Sequence, residues 1–203
     1  MKTPLRKPGD QRPARGNRQS MGRVFSCLII TCCLLWGAPP RARSQSDDDN
    51  EYQVKLAFLY NFAQFVYWPP ETFRGPDAPL TMCVAGHDPF RGEIEEGLHG
   101  RTVGGHPIEI RNLKTNDDPR GCHVIFVPAG DKKLSDRILA MVKGSSTLTV
   151  GETKGFAAMG GIINLTLSEN KLRFEINLDA ALQTRLKISS KLLALATVVR
   201  TQP

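Results

Sequence analysis

Residues 160–178, GGIINLTLSENKLRFEINL, organise the rest of the chain. Two runs of apolar and β-branched residues flank the polar residues 168–170, and this pattern predicts a β-hairpin. In the second run apolar and polar side chains alternate, so we expect one face of that strand to be buried and the other wetted. The apolar positions of this run are Leu172, Phe174, Ile176 and Leu178.

The residues after the hairpin show a helical pattern. Asp179 is suited to cap a helix, and apolar residues recur from there to Val199. We therefore predict a long terminal helix over residues 179–199. Its apolar stripe has two interpretations, packing in the core or docking of a partner.

Upstream of the hairpin, short apolar runs alternate with helical patterns. The predicted strands are residues 80–85, 107–111, 123–127 and 147–150, and the predicted helices are residues 51–66, 87–98 and 134–142. This alternation predicts an α/β domain of three layers with a mostly parallel sheet, to which the hairpin adds an antiparallel edge. We expect Asp88 to cap the second helix.

The first 44 residues have the pattern of a secretory signal peptide, with basic residues before an apolar run and small residues after it. The apolar run covers residues 24–37, which is shorter than the ~20 residues that span a bilayer. We therefore predict cleavage before Gln45 and a single domain over residues 45–203. An uncleaved membrane anchor is the alternative.

Removal of this leader changes the charge of the chain. Nine of the 27 Lys and Arg residues and one of the 20 Asp and Glu residues lie in residues 1–44. The remainder has 18 basic and 19 acidic residues, a net charge of about −1 instead of +7. Binding of nucleic acid, which a basic chain would suggest, is therefore not expected.

Two cysteines remain after the leader, Cys83 and Cys122. In an exported protein such a pair favours a disulfide, although two buried free thiols on neighbouring strands fit the sequence as well. The histidines show no spacing typical of zinc sites, so no metal site is predicted.

The sequence contains no catalytic motif of the common hydrolase, nucleotide-binding or metalloprotease types. The adjacent pairs His87–Asp88 and Cys122–His123 have catalytic residue types, but neighbouring residues of a strand point to opposite faces. We therefore predict a protein without catalytic residues or cofactors. An uncharacterised hydrolase that uses His87 or His123 is the alternative.

A series of motifs in order along the chain resembles one family. The motifs are LYNFAQFVYWP (59–69), CVxGxxPF (83–90), GRTVxG (100–105), GCHVIF (121–126), GFA (155–157), GGII (160–163), RFEIN (173–177) and LKISSKLL (186–193). They are similar to the YfiR family of periplasmic proteins, and the similarity covers residues 51–196, nearly all of the predicted domain.

The resemblance implies a periplasmic repressor that binds the periplasmic domain of an inner-membrane diguanylate cyclase or of a sensor kinase. Such binding would lower cyclic-di-GMP output and biofilm formation, and it would keep the protein at the membrane only through its partner. The resemblance leaves a homodimer open. It maps the family's structural cysteine pair onto Cys83 and Cys122, whereas Ala157 and Asn164 stand where its best-known member has a second pair.

We expect the partner to bind at the second hairpin strand and the following helix. The residues predicted for this face are Glu175, Leu178, Ala181, Lys187 and Ser189. The other interpretation is that Leu178 and Ala181 are core residues and that Glu175 is a solvated strand residue.

A second hypothesis is a periplasmic protein that binds a small ligand. In open sheets, ligands favour the carboxyl ends of the strands, which residues 86–90 and 128–130 follow here. This hypothesis needs no cyclase partner.

Overall fold

The computed structural model describes residues 45–169 and 171–200, and within them eight strands form one sheet. The elements are α1 (Gln45–Gln64), β1 (Val66–Tyr67), a 3-10 turn (Pro70–Thr72), β2 (Leu80–Ala85), α2 (Glu93–Leu98), β3 (Thr102–Val103), β4 (His106–Leu113), β5 (Val124–Val127), α3 (Lys132–Val142), β6 (Leu148–Gly151), β7 (Ile163–Ser168), β8 (Lys171–Asn177), α4 (Leu178–Leu182), β9 (Lys187–Ile188), α5 (Ser190–Leu193) and β10 (Thr197–Val199). The predicted signal peptide lies outside the described residues.

The sheet has the strand order β10-β8-β7-β6-β5-β2-β4-β3, and β1 and β9 form a separate antiparallel pair. The five pairs β10–β8, β7–β6, β6–β5, β5–β2 and β2–β4 are parallel. The pairs β7–β8 and β3–β4 are antiparallel. The prediction of an α/β fold with a mostly parallel sheet is therefore confirmed.

The sheet separates two apolar cores. Strand side chains alternate between the faces, so Val84 and Phe126 contribute to one core while Cys83 and Ile125 contribute to the other. Helix α1 packs in the first core, and helix α3 packs in the second. These are the three predicted layers.

The hairpin of β7 and β8 has the register Leu165 opposite Phe174 and Ser168 opposite Lys171, which confirms the prediction from residues 160–178. The hairpin is not the edge of the sheet, however. Strand β10 pairs with β8, placing Val198 opposite Ile176. The expected antiparallel edge is therefore replaced by a short parallel strand.

The prediction of a long terminal helix is wrong. The Asn177 side chain caps α4 by accepting a hydrogen bond from Ala180 N at 3.0 Å. The Thr184 hydroxyl donates to the Ala181 carbonyl and accepts from Leu186 N, which closes the helix after little more than one turn. Ser189 then caps α5. These local hydrogen bonds compete with helix continuation, and the β-branched residues 197–199 pair as a strand.

Helix α2 begins later than predicted. The Asp88 carboxylate accepts from Phe90 N and Gly92 N, so it stabilises a turn and does not cap an α-helix. Arg91 and Gly92 have φ values of 53° and 85°, which end the turn before Glu93 starts the helix.

In the described residues 45–169 and 171–200, we find no helix that combines the length and the apolarity needed to cross a membrane.

Candidate partner-binding surface

The residues predicted to bind a partner lie in several short elements. Glu175 is in β8, opposite Asn164 on one side and Thr197 on the other. Its carboxylate accepts a hydrogen bond from Asn164 Nδ2 at 3.0 Å, and the side chain is half-buried. Neighbouring strand positions alternate, so Glu175 projects from the face opposite to Phe174 and Ile176.

Leu178 and Ala181 belong to helix α4. Leu178 is half-buried against the larger core, and Ala181 is a buried member of it. Through these contacts, both residues hold α4 against the domain. A partner could reach Leu178 in part, whereas Ala181 presents little surface.

Lys187 is the first residue of the short strand β9, and Ser189 directly follows that strand. Lys187 is exposed and pairs with Tyr67 of β1. Ser189 N donates to the Phe65 carbonyl at 2.9 Å, and the Ser189 hydroxyl accepts from Lys191 N. The structure therefore places Lys187 beside Tyr67 in the small sheet of β1 and β9, whereas the residues paired with Glu175 belong to the main sheet.

Exposed apolar side chains mark this part of the molecule. We call residues 178–200 the C-terminal segment. Leu182 and Leu195, with 79% and 75% of their surface accessible, are the most exposed large apolar side chains in the part that the structure describes. Val198 and Tyr67 are exposed as well. The sequence interpretation included Leu182 and Leu195 in the apolar stripe of one continuous helix, but it did not name them among the residues of the binding face.

Cys83 and Cys122 form a disulfide, with their Cα atoms 5.9 Å apart. The bond joins β2 to the residues that lead into its neighbour β5, and both cysteines are buried. Nη2 of Arg111 donates to Sγ of Cys122 at 3.0 Å. The disulfide therefore links two central strands. No free thiol remains among the described residues.

A buried ion pair fastens helix α1 to the end of β6. Lys55 lies on the core side of α1, and its ammonium contacts Glu152 and also Glu51, the latter at 2.7 Å. Burial opposes the charge on Lys55, but its hydrogen bonds to Glu152 and Glu51 outweigh this effect and raise the pKa of the amine. The apolar neighbour Val54, by contrast, is exposed.

The same carboxylate accepts hydrogen bonds from the hydroxyl of Tyr52 and from Ala129 N, both at 3.0 Å. Burial, together with the negative charge of Glu152, raises the pKa of Tyr52 to about 12. All these groups stabilise one another, so the arrangement is structural.

A pocket of ≈ 500 Å³ lies at the carboxyl ends of β2 and β5. Gly86, His87 and residues 128–130 line it together with Lys114 and Thr115. The structure thus brings together most of the predicted ligand-binding loops. Phe90, the last residue of the first loop, is buried in the core instead.

The other residues considered for catalysis lie apart. His87 is in the pocket, whereas the His123 imidazole is buried at the opposite ends of the strands and accepts a hydrogen bond from Thr81 N. Among the described residues there is no group of three or more His, Cys, Asp or Glu side chains placed to hold a metal ion.

The chain matches one protein-family model, described as YfiR/HmsC-like, over residues 52–197. The match begins in helix α1 and ends at the first residue of β10, so it includes the hairpin, both cysteines and most of the C-terminal segment. It spans well over half of the sequence. The chain belongs to the YfiR/HmsC-like family.

Proposed function

We propose that this protein is a periplasmic repressor. It binds the periplasmic domain of an inner-membrane diguanylate cyclase, or of a related sensor, and lowers cyclic-di-GMP signalling and biofilm formation. Membership of the YfiR/HmsC-like family supports this proposal, since that family is regulatory, generally periplasmic, and implies interaction with a membrane-associated sensor.

The observation that carries the proposal is the exposure of Leu182 and Leu195 in the C-terminal segment. Apolar side chains with this much accessible surface gain free energy when a partner covers them, at roughly 25 cal/mol per Å². Exposed apolar patches are typical of interaction sites, and both leucines belong to the C-terminal segment.

The charged residues of the predicted face would act at its rim. Lys187 is exposed beside Tyr67, an aromatic residue of the type that often contributes most to binding. Glu175 is half-buried, and its partner Asn164 holds the carboxylate in place. Leu178, Ala181 and Ser189 would shape the surface, through the core contacts of α4 and the cap of α5. The protein would act by binding its partner and would not catalyse a reaction.

The test is to delete the gene in its own host and to measure intracellular cyclic-di-GMP and biofilm mass. We expect both to rise on deletion and to fall again when the wild-type gene is supplied. Glu175→Arg and Lys187→Glu are expected to fail in this complementation, since each reverses a charge on the proposed face.

Lys133→Glu, an exposed charge reversal on α3, is the matched control and should complement fully. Immunoblots of the periplasmic fraction would show that all variants are exported in equal amounts. Unchanged cyclic-di-GMP on deletion would refute the cyclase partner. Full complementation by both face variants would refute the proposed surface.

The second candidate function is binding of a small ligand in the pocket at Gly86, His87 and residues 128–130. The observation that favours it is the pocket itself, whose volume of ≈ 500 Å³ is in the range of small-molecule sites. Thermal unfolding against a panel of metabolites would test it, because a ligand at about 100 times its Kd adds about 2.7 kcal/mol of stability. His87→Ala should abolish such a shift. Stabilisation by one compound without any effect of deletion on cyclic-di-GMP would favour this candidate.

A further inference from the structure

His123 is held in a single protonation state by its hydrogen bonds. It precedes β5, and only 8% of its surface is accessible. Its backbone N donates to the Thr81 carbonyl at 2.8 Å, and its ring Nδ1 accepts from Thr81 N at 3.0 Å. A backbone amide can only donate, so Nδ1 must be unprotonated. The ring is therefore neutral, with its proton on Nε2.

An imidazolium ring cannot keep this arrangement, since both of its nitrogens are donors. Protonation of Nδ1 would set two N–H groups against each other at the Thr81 contact. The buried Nε2 has no hydrogen-bond partner with good geometry. Burial lowers the pKa of His123, the nearby Thr72 backbone opposes this shift, and His106 adds to it.

The ring of Phe73 stacks on His123. The two ring centres are 4.6 Å apart and the planes differ by 13°. Phe73 also stacks on His106, at 3.7 Å and 5°. Two rings parallel to Phe73 at these distances must occupy its opposite faces, since one face cannot hold both. We call Phe73, His106 and His123 the stacked cluster.

The stacked cluster fastens the segment between β1 and β2, residues 68–79, to the amino ends of the strands. His106 Nδ1 donates to the Ala78 carbonyl at 2.7 Å, which fixes the far end of the segment. Protonation of His106 would leave this bond intact because Nδ1 already donates. Only His123 must give up a bond when it gains a proton, the bond from Thr81 N of β2. Its charged ring would then stay buried beneath Phe73, away from water, unless residues 68–79 move away.

The segment also contacts the C-terminal segment. Glu71, next to Thr72, forms an ion pair with Arg185 at 2.8 Å. Arg185 is two residues before Lys187 of the proposed partner-binding surface. Movement of residues 70–73 would therefore change the contacts at the base of β9.

We propose that the stacked cluster is an acid-sensitive fastening, in which protonation of His123 releases residues 68–79 and loosens the Glu71–Arg185 contact. The release itself is a property of the isolated protein. Its effect on partner binding rests on the function proposed above.

The surroundings of His123 favour this response. His106 of β4 lies across the Phe73 ring from His123, and Arg111 of the same strand lies on Cys122, the preceding residue. From β2 and from residues 68–79, the ring meets the backbone of Thr81 and Thr72 and the ring of Phe73. Glu71, the nearest acidic residue along that segment, is paired with Arg185. Among these contacts, all within the part of the chain that the structure describes, there is no carboxylate that would stabilise the imidazolium form of His123.

The sign of the effect follows from the lowered pKa. The released state, like a free histidine, takes up a proton near pH 6.5, whereas the fastened state resists it. The fastening is therefore fully formed above about pH 6.5 and weakens as the pH falls towards the lower pKa of the fastened state.

Hydrogen exchange with mass spectrometry on the purified protein tests this proposal. Peptides that cover residues 68–79 and 183–189 are compared at pH 7.5 and pH 5.0, after correction for the intrinsic pH dependence of exchange. We expect protection of residues 68–79 to be lower at pH 5.0 than at pH 7.5, and protection of residues 183–189 to fall with it, because the buried site lowers the pKa of His123.

His123→Asn is the decisive variant, since its Oδ1 can accept from Thr81 N and does not titrate. Its protection should be the same at pH 7.5 and pH 5.0, at a lower level than in the wild type because the stack on Phe73 is lost. The control His106→Asn should retain the wild-type response to pH. A wild-type protein with equal protection at both pH values would overturn the proposal, even if His123→Asn fails to fold. The same would follow from an unchanged acid response in His123→Asn.

NMR titration of the histidine ring protons gives a second readout. We expect the His123 signal to titrate below pH 6.5, at the pH where residues 68–79 lose protection. Titration of His123 without loss of protection would also refute the fastening. These experiments need no partner, so a failed cyclic-di-GMP assay and a failed fastening can be told apart.

Discussion

The central strands β2, β5 and β6 and the C-terminal segment are built in opposite ways. Almost every residue of the three strands is buried. A disulfide joins β2 to the residues before β5, and a buried ion pair lies at the end of β6. The C-terminal segment consists of four elements of two to five residues each, with Leu182 and Leu195 largely exposed. Ala181 and Leu186 hold this segment against the core, whereas its exposed side chains contribute little to stability and are free to serve binding. Substitutions should therefore lower the free energy of unfolding in the central strands and affect binding at the exposed positions of the C-terminal segment.

The largest expected effect is that of removing the disulfide. The cysteines are 39 residues apart, and the chain-entropy model gives about 4 kcal/mol for a loop of that size. We expect Cys83→Ala/Cys122→Ala to lower the free energy of unfolding by that amount, as measured by urea denaturation. Reducing agent should destabilise the wild type and leave the double variant unchanged. A loss below about 1 kcal/mol would contradict the contrast between the two regions.

The next effect is expected at the ion pair. Glu152→Gln keeps an oxygen for Tyr52 and Ala129 N but leaves the buried Lys55 with only Glu51 as a charged partner. We expect a loss of about 3 kcal/mol in the free energy of unfolding, near the lower end for broken buried pairs.

The exposed pair Lys132–Asp136 on α3 provides the control for this loss. Asp136→Asn should change the free energy of unfolding by less than about 0.5 kcal/mol, since exposed pairs contribute little. Equal effects of the two substitutions would show that burial does not set the contribution of the Lys55–Glu152 pair.

A smaller loss is expected at Gly161. A Cβ atom there would lie 2.9 Å from the Phe156 carbonyl oxygen and against the buried Phe156 ring. We expect Gly161→Ala to lower the free energy of unfolding by about 2 kcal/mol through overpacking. Gly75 has open space around its Cβ position, so Gly75→Ala should stay within about 0.5 kcal/mol. Thermal unfolding of both variants would make the comparison.

The smallest effect on stability is expected at Leu182 and Leu195. Leu182→Ser and Leu195→Ser should each change the free energy of unfolding by less than about 0.5 kcal/mol, because these side chains are already solvated. Both should nevertheless impair repression in the cyclic-di-GMP assay. Leu186→Ser, at a buried site of the same segment, should cost more than about 3 kcal/mol. Full repression by both exposed-site variants would argue against a binding role of the C-terminal segment.

The parallel strands could be predicted well because their signal is local. An apolar run followed by Gly86 predicted residues 80–85, and β2 occupies Leu80–Ala85. The hairpin register was predictable for the same reason, since the alternation from Leu172 to Leu178 fixes which side chains face the core. The terminal helix was mispredicted because apolar spacing does not reveal that Thr184 closes one helix and Ser189 begins another.

The candidate surface was predictable only in part. Lys187 is exposed and Glu175 is half-buried, as a binding face requires. Ala181, however, is in the core, and the neighbouring Leu182 is exposed in its place. No pattern in the sequence links Lys55 to Glu152, which lie 97 residues apart, and the same holds for the stacking of Phe73 on His123.

The α/β class and the hairpin could be predicted from the amino-acid sequence, because both depend on spacing along a few residues. The buried face of helix α1, the breaks in the C-terminal segment, the leucines that remain in water and the pairing of β2 with β5 that brings the two cysteines together depend on the folded chain. Those outcomes depend on groups far apart in the chain that compete for the same core space and hydrogen bonds, and spacing along the sequence contains no information on that competition.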